Sequence, residues 1–165
     1  FHLVRQEPVH IALGTHANKQ GRVLGTNIAG GYAAFPGVVG TAITKVCDLE
    51  IARTGVGEQE ATDAGFSVAV GTVESTTTTG YMPGASAMTV KVVAERGTGR
   101  LLGAQIVGAG AGSAKRIDAC ALAVWNQMTA FGLEMSDLAY APPFSPVWDP
   151  VQIAARRAGV AAIST

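Results

Sequence analysis

A chain of 165 residues is about one domain, long enough to bury roughly two-thirds of its unfolded surface. Twelve acidic and twelve basic residues cancel, and no basic run or acidic tail is present, which argues against nucleic acid as a partner. No run of about 18 apolar residues reads as a membrane span, and 48% hydrophobic content at low charge points to apolar surface buried in part between subunits.

Phe1-His-Leu-Val-Arg-Gln-Glu7 has neither a signal peptide's apolar core nor a methionine, so the chain is expected to begin inside a longer gene product. Pro8 to Leu13 is short and apolar and leads to Gly14. Thr15 is a plausible N-cap for a helix over Ala17 to Ile28. Gly21 and Gly25, at i and i+4, weaken that helix and read as a face against which a neighbour comes close. The Gly- and Pro-rich connection Tyr32 to Gly40 places a domain boundary near residue 34, giving segments 1–33 and 34–165.

Thr41 to Ile51 reads as one strand with Ile43, Cys47, Leu49 and Ile51 on one side. Gly57 to Gly65 is a short helix with an acidic first turn and a left-handed glycine stop. Phe66 to Thr76 and Met88 to Glu95 are strands, separated by a threonine-rich loop ending Tyr81-Met82-Pro83-Gly84. Glu95 to Arg100 is a hairpin turn leading to a partner strand, Leu101 to Val107.

Ser113 to Met128 is the strongest helix, with Ile117, Cys120, Ala121, Val124, Trp125 and Met128 in one stripe. Thr129 to Ala139 reads as short helical turns broken at Gly132, the last capped by Ser136-Asp137. Asp149 caps a final helix running from Pro150 to about Ala158. Consecutive strands joined by a hairpin predict an α+β fold, an antiparallel β-sheet with helices packed on one face.

Before that last helix, Tyr140-Ala-Pro-Pro-Phe-Ser-Pro-Val-Trp-Asp-Pro150 carries four prolines in eleven residues. Each proline fixes φ and biases its predecessor to extended geometry, so no helix runs through. Two readings stay open for its aromatic residues. The segment is a pinned loop over the chain's own core, or a rigid prong whose low entropy cheapens docking onto another subunit.

Cys47 and Cys120 lie in apolar surroundings without redox or metal spacing, and are expected buried and reduced, as in a cytoplasmic protein. His2, His10 and His16 show no metal-ligand spacing, so no metal site is expected. Ile106-Val-Gly-Ala-Gly-Ala-Gly-Ser113 resembles a dinucleotide-binding turn, but Ser113 stands where the third glycine belongs and no parallel strand follows. A tight strand-to-helix connection is the better reading. Lys115 and Asp118, at i and i+3, read as a solvated or interface pair.

The run AYAPPFSPVWDPV resembles the C-terminal end of the flavin-dependent pyridine nucleotide-disulfide oxidoreductases, nearest the NADH oxidase and coenzyme A-disulfide reductase branch. Gly14-Thr-His-Ala-Asn-Lys-Gln-Gly-Arg22 and Lys115-Arg-Ile-Asp118 resemble the same family. No catalytic histidine stands before the paired prolines, unlike the glutathione reductase-like members; Tyr140 takes its neighbourhood. The resemblance implies the reductase dimerisation domain, preceded by the last helix of the FAD-binding domain. It implies a homodimer in which FAD and NAD(P)H serve the intact enzyme, with a thiol, disulfide or oxygen as acceptor. The fragment itself is expected to hold no cofactor and to be inactive. The rival reading is a stand-alone, non-enzymatic homodimeric binding or assembly module.

The resemblance also implies site residues. The helix start near Thr15, His16 and Ala17 would point backbone N–H groups at the flavin's pyrimidine edge, against the plain reading of an ordinary helix cap. Tyr140 would donate a hydrogen bond or proton in the partner's active site. Tyr81 stands in the place of a branch Tyr-Tyr-Pro-Gly stretch that here lacks one ring. For both tyrosines the alternative is interface packing.

Overall fold

A computed structural model describes residues 1–110 and 112–164. The elements are α1 (Gly14–Ile28), β1 (Ala42–Val46), β2 (Leu49–Gly55), α2 (Glu58–Asp63), β3 (Val68–Thr76), β4 (Ala87–Glu95), β5 (Leu101–Ala109), α3 (Ile117–Trp125), α4 (Ala130–Glu134) and α5 (Pro150–Ile163); a 3-10 turn, Ala114–Arg116, leads into α3. The five strands form one sheet in the order β1-β2-β5-β4-β3, with every neighbouring pair antiparallel. The expected α+β architecture is borne out.

The period-2 alternation of the strands sorts their side chains onto two faces. Gly71, Val92, Ala104 and Thr54 align across β3, β4, β5 and β2, and all are buried. α5 lies on that face: a Cβ on Gly71 would sit 2.1 Å from the Ala154 carbonyl oxygen. Val90, Val92, Ile106, Ile117, Cys120, Ala154, Ala155 and Ala158 share the resulting core. The small residues of α5 let its backbone approach the sheet closely, which is why a helix so rich in alanine is fully engaged. On the opposite face, Thr72, Lys91, Gln105 and Arg53 align. The six-residue α2 sits there, with Glu58 paired to Lys91 and Glu60 to Arg53. Its acidic first turn and its end at Gly65, at φ +87°, match the sequence reading.

Several elements differ from expectation. Thr41 to Ile51 is a β-hairpin, not one strand, because Cys47 and Asp48 form a two-residue turn with Cys47 at φ +53°. Cys47 is therefore exposed at the tip, while Cys120 is buried as expected. α1 begins at Gly14 with Leu13 in the capping position and no side-chain cap, so Thr15 is not the cap. The Thr129 hydroxyl caps α4 by accepting the Gly132 amide at 3.1 Å, so Gly132 lies inside a helical turn instead of breaking one. Ser136 caps no later helix; its hydroxyl donates to the Gly132 carbonyl. α5 runs five residues past Ala158, through Gly159, whose missing side chain faces Ala130 of α4.

α1 has no buried residue, with Leu24 60% and Ile28 78% exposed. A helix of this length without packing is marginal in water. Nothing lies within 4 Å of a Cβ placed on Gly21 or Gly25, so the small face is open. No helix among the described residues is long and apolar enough to cross a membrane.

The first residues are not loose. His2 bridges to Glu7 and, in parallel register, to Val38, and Val4 enters the main core. His2 is buried, and its Nδ1 accepts the amides of Val4 and Arg5 at 3.2 and 3.3 Å. Burial, then the charge of Arg5, lowers its pKa from the ordinary histidine value. A depressed folded-state pKa means this contribution is complete above the unfolded value near 6.5 and is lost as pH falls through the lower folded value. The melting temperature should therefore drop between pH 7.5 and 5.5, and His2→Asn should flatten that dependence. Equal slopes for the two proteins would count against it.

Candidate functional site

The proline segment leaves α4 and crosses the end of the sheet to reach α5. Its prolines prevent helix or ladder pairing, so its backbone groups find other partners. Phe144 and Ser145 amides donate to the Ala141 carbonyl at 2.8 and 3.1 Å. The Thr79 amide donates to the Pro142 carbonyl at 3.0 Å, and the Thr79 hydroxyl to the Ser145 carbonyl at 3.1 Å. The threonine-rich loop and the proline segment are thus sewn together.

Asp149 caps α5, its Oδ1 accepting the Val151 amide at 2.9 Å. Its Oδ2 accepts from Arg116 Nε at 2.9 Å and from the Ser145 hydroxyl at 3.0 Å. The Arg116 side chain is 14% and that of Asp149 12% exposed. By contrast Lys115 and Asp118, the expected i, i+3 pair, meet at 2.6 Å but are 74% and 54% exposed. An exposed pair of that kind contributes little.

The backbone of the arm is held while its side chains stay out. Tyr140 is 47%, Phe144 75%, Val147 67% and Trp148 45% exposed. The Trp148 ring lies 5.3 Å from the Arg156 guanidinium carbon, a cation–π contact. Tyr81, 74% exposed, stands on the threonine-rich loop two residues beyond Thr79. The pinned-loop reading fails for these rings, because none is buried in the chain's own core. Both candidate tyrosines lie on the stitched pair of loops.

The third candidate group lies by a cleft next to α3 and β1. His16 and Ala17 amides both donate to the Leu13 carbonyl at 3.1 Å, whereas the Thr15 amide has no partner among the described residues. With no side-chain cap, the start of α1 keeps unpaired N–H groups next to its positive dipole end. This end opens on a cleft of about 730 Å³ lined by Thr15, His16, Phe35, Ile43, Lys115 and Trp125.

Among the described residues, the other candidate groups have structural roles. Both neighbours of β5 are antiparallel, which removes the parallel βαβ setting a dinucleotide turn needs. Ala111 of that glycine-rich stretch lies outside the described residues, but its neighbours have packing reasons. A Cβ on Gly108 would stand 2.7 Å from that of Ser113, and Gly110 and Gly112 have φ of +92° and +86°. Glu50 of β2 secures this turn, accepting from the Ala114 amide, the Ser113 hydroxyl and the Gly112 amide at 3.1, 3.1 and 3.4 Å. Those bonds, the Ala114 amide first, hold its carboxyl below the usual carboxylate range. Burial pushes the Cys120 thiol up to about 12, so it is no nucleophile. No cluster of metal-ligating side chains exists among the described residues.

Residues 41–150 match the family model described as pyridine nucleotide-disulphide oxidoreductase, dimerisation domain. The chain belongs to the pyridine nucleotide-disulfide oxidoreductase family. It carries the family's dimerisation domain, as the resemblance of the proline segment implied. The chain is 44% identical to part of the NAD(P)H sulfur oxidoreductase (CoA-dependent) of Pyrococcus furiosus, over 94% of this chain and 35% of the relative. It is 32% identical to part of the coenzyme A disulfide reductase of Staphylococcus haemolyticus, over 84% of this chain and 31% of the relative. A solved NAD-dependent persulfide reductase from A. fulgidus shares its fold with a TM-score of 0.89 at 44% identity, over 94% of this chain and 28% of the other. The chain spans about a third of the length of the curated relatives it matches.

Proposed function

We propose that this dimerisation domain joins two copies of a cytoplasmic FAD- and NAD(P)H-dependent reductase, and completes each partner's active site with the aromatic arm around Tyr140. The observation that carries this is the contrast within the arm: a backbone fixed by hydrogen bonds bearing rings that stay 45–75% exposed. A prearranged apolar prong loses little entropy on docking. A two-fold pairing would deliver both arms at once, each to the other copy.

Residues 1–33 are assigned to the flavin-binding side and 34–165 to the interface domain. The uncovered faces of α1 fit that division, since the rest of a flavin domain would bury Leu24, Ile28 and the glycine face. The free Thr15 amide, with its neighbours at the helix start, would face the electron-rich edge of the flavin and favour its reduced, more negative form. FAD supplies the hydride-accepting chemistry when bound. Tyr140, with Tyr81 on the loop stitched to its arm, would donate a hydrogen bond to a substrate oxygen or sulfur. The acceptor class is a disulfide, persulfide or polysulfide in keeping with the sulfur-reducing relatives, with oxygen the alternative that the NADH oxidase of Methanocaldococcus jannaschii represents.

Sedimentation velocity of the 165-residue chain tests the docking. A dimer is expected at tens of micromolar; a strictly monomeric chain at that concentration would overturn it. No NADH oxidation is expected from this chain alone.

A further inference from the structure

The Arg116 side chain touches all three parts of the docking surface. Its Nε bonds the Asp149 carboxylate at 2.9 Å, at the start of α5. One terminal nitrogen donates to the Thr77 carbonyl at 2.6 Å, on the loop that carries Tyr81. The same nitrogen donates to the Phe144 carbonyl at 2.8 Å, in the proline arm. The other reaches the Gly112 carbonyl at 3.4 Å. The group is largely shielded from water, where charge-assisted bonds gain strength.

The two loops are otherwise far apart in sequence and lack ladder pairing with each other. A planar fork with five donors serves a carboxylate and separate carbonyls at once; a lysine ammonium, a point donor on a flexible stem, does not. Arg116 projects from the turn that opens α3, and α3 is anchored in the core by Ile117 and Cys120. The guanidinium is therefore a fixed post to which two irregular backbone segments are tied.

We propose that Arg116 is the positioning residue that holds the Tyr81 loop and the Tyr140 arm as a single docking unit. Its effect on dimerisation rests on the docking reading given above; its effect on the loops does not. Arg116→Lys keeps the charge and removes the fork. Asp149→Asn keeps a good helix cap and removes the ionic partner.

Amide hydrogen exchange separates positioning from general support. In Arg116→Lys, exchange at Thr79, Phe144 and Ser145 should accelerate by at least about 10-fold, while Val92 and Ile106 in the sheet stay unchanged. Asp149→Asn should show the same pattern more weakly. The dimer dissociation constant should rise by at least about 10-fold in Arg116→Lys. Unchanged exchange at the three amides, or equal acceleration in the sheet, overturns the proposal. Should the unmutated chain prove monomeric, the docking reading falls, and the exchange pattern still decides whether Arg116 couples the loops.

Discussion

Phe144→Asp should separate the dimer while leaving the monomer folded. The ring is 75% exposed, so its loss empties no core position. Its backbone bonds to Ala141 and Arg116 do not involve the side chain. In the proposed dimer, however, the new carboxylate would be buried against apolar surface without a partner. Such a group at an interface costs about 2–5 kcal/mol, or roughly 30- to 4,000-fold in dissociation constant. Sedimentation should show monomer at concentrations where the parent is dimeric, with the melting temperature of the monomer shifted by less than about 2 °C. A dimer of unchanged affinity would remove the arm from the interface. A collapse in monomer stability would show instead that the ring packs onto its own chain.

Gly71→Ala should be among the most damaging single methyl additions at the described residues. Its Cβ would stand 2.1 Å from the Ala154 carbonyl oxygen and 2.3 Å from the Ala158 amide nitrogen. Both are backbone atoms of α5, so no rotamer change relieves the clash. The helix must lift from β3, and the contacts of Ala154, Ala155 and Ala158, each wholly buried, loosen with it. A loss of about 3 kcal/mol or more is expected, near the upper end for overpacking. For a chain of this size that corresponds to a fall in melting temperature of roughly 6–12 °C. Gly65→Ala is the matched control. It has a positive φ of +87° but open space around it, so only backbone strain of about 1 kcal/mol is expected. Because Asp149 and the arm are continuous with α5, the Gly71 variant should also weaken dimerisation; a variant as stable as the parent would contradict the packing argument.

Much of the fold could be read from residues because its determinants are local. Asp149-Pro150 can begin a helix and the prolines before it cannot continue one, whatever surrounds them. Glu95 to Arg100, with glycines at 97 and 99, makes a hairpin on its own terms, and the acidic run at 58–63 ends at Gly65 for the same reason. These choices are made within about four residues, the range over which backbone geometry and capping act. The resemblance to the reductase family was likewise carried by such short, rigid runs.

The tertiary structure decided what crosses that range. In the sequence, Lys115–Asp118 reads as a solvated or interface pair, and Arg116 is marked only as a member of the family-like run Lys115-Arg-Ile-Asp118. Besides Gly112 at i−4, the partners of Arg116 lie 28, 33 and 39 residues away, at separations no helical or strand period encodes. Cys47 fitted an apolar alternation, yet the chain reversed at that residue and exposed it, because β2 gains a second neighbour in β5 by turning back. Glu50 likewise acquired its role only when the sheet brought it under the Gly112–Ala114 turn. A sequence specifies which segments are stiff and which faces are apolar, since those are properties of neighbouring residues. Which charged group ends up shielded, and what it then holds, depends on desolvation, and desolvation exists only once distant segments have met.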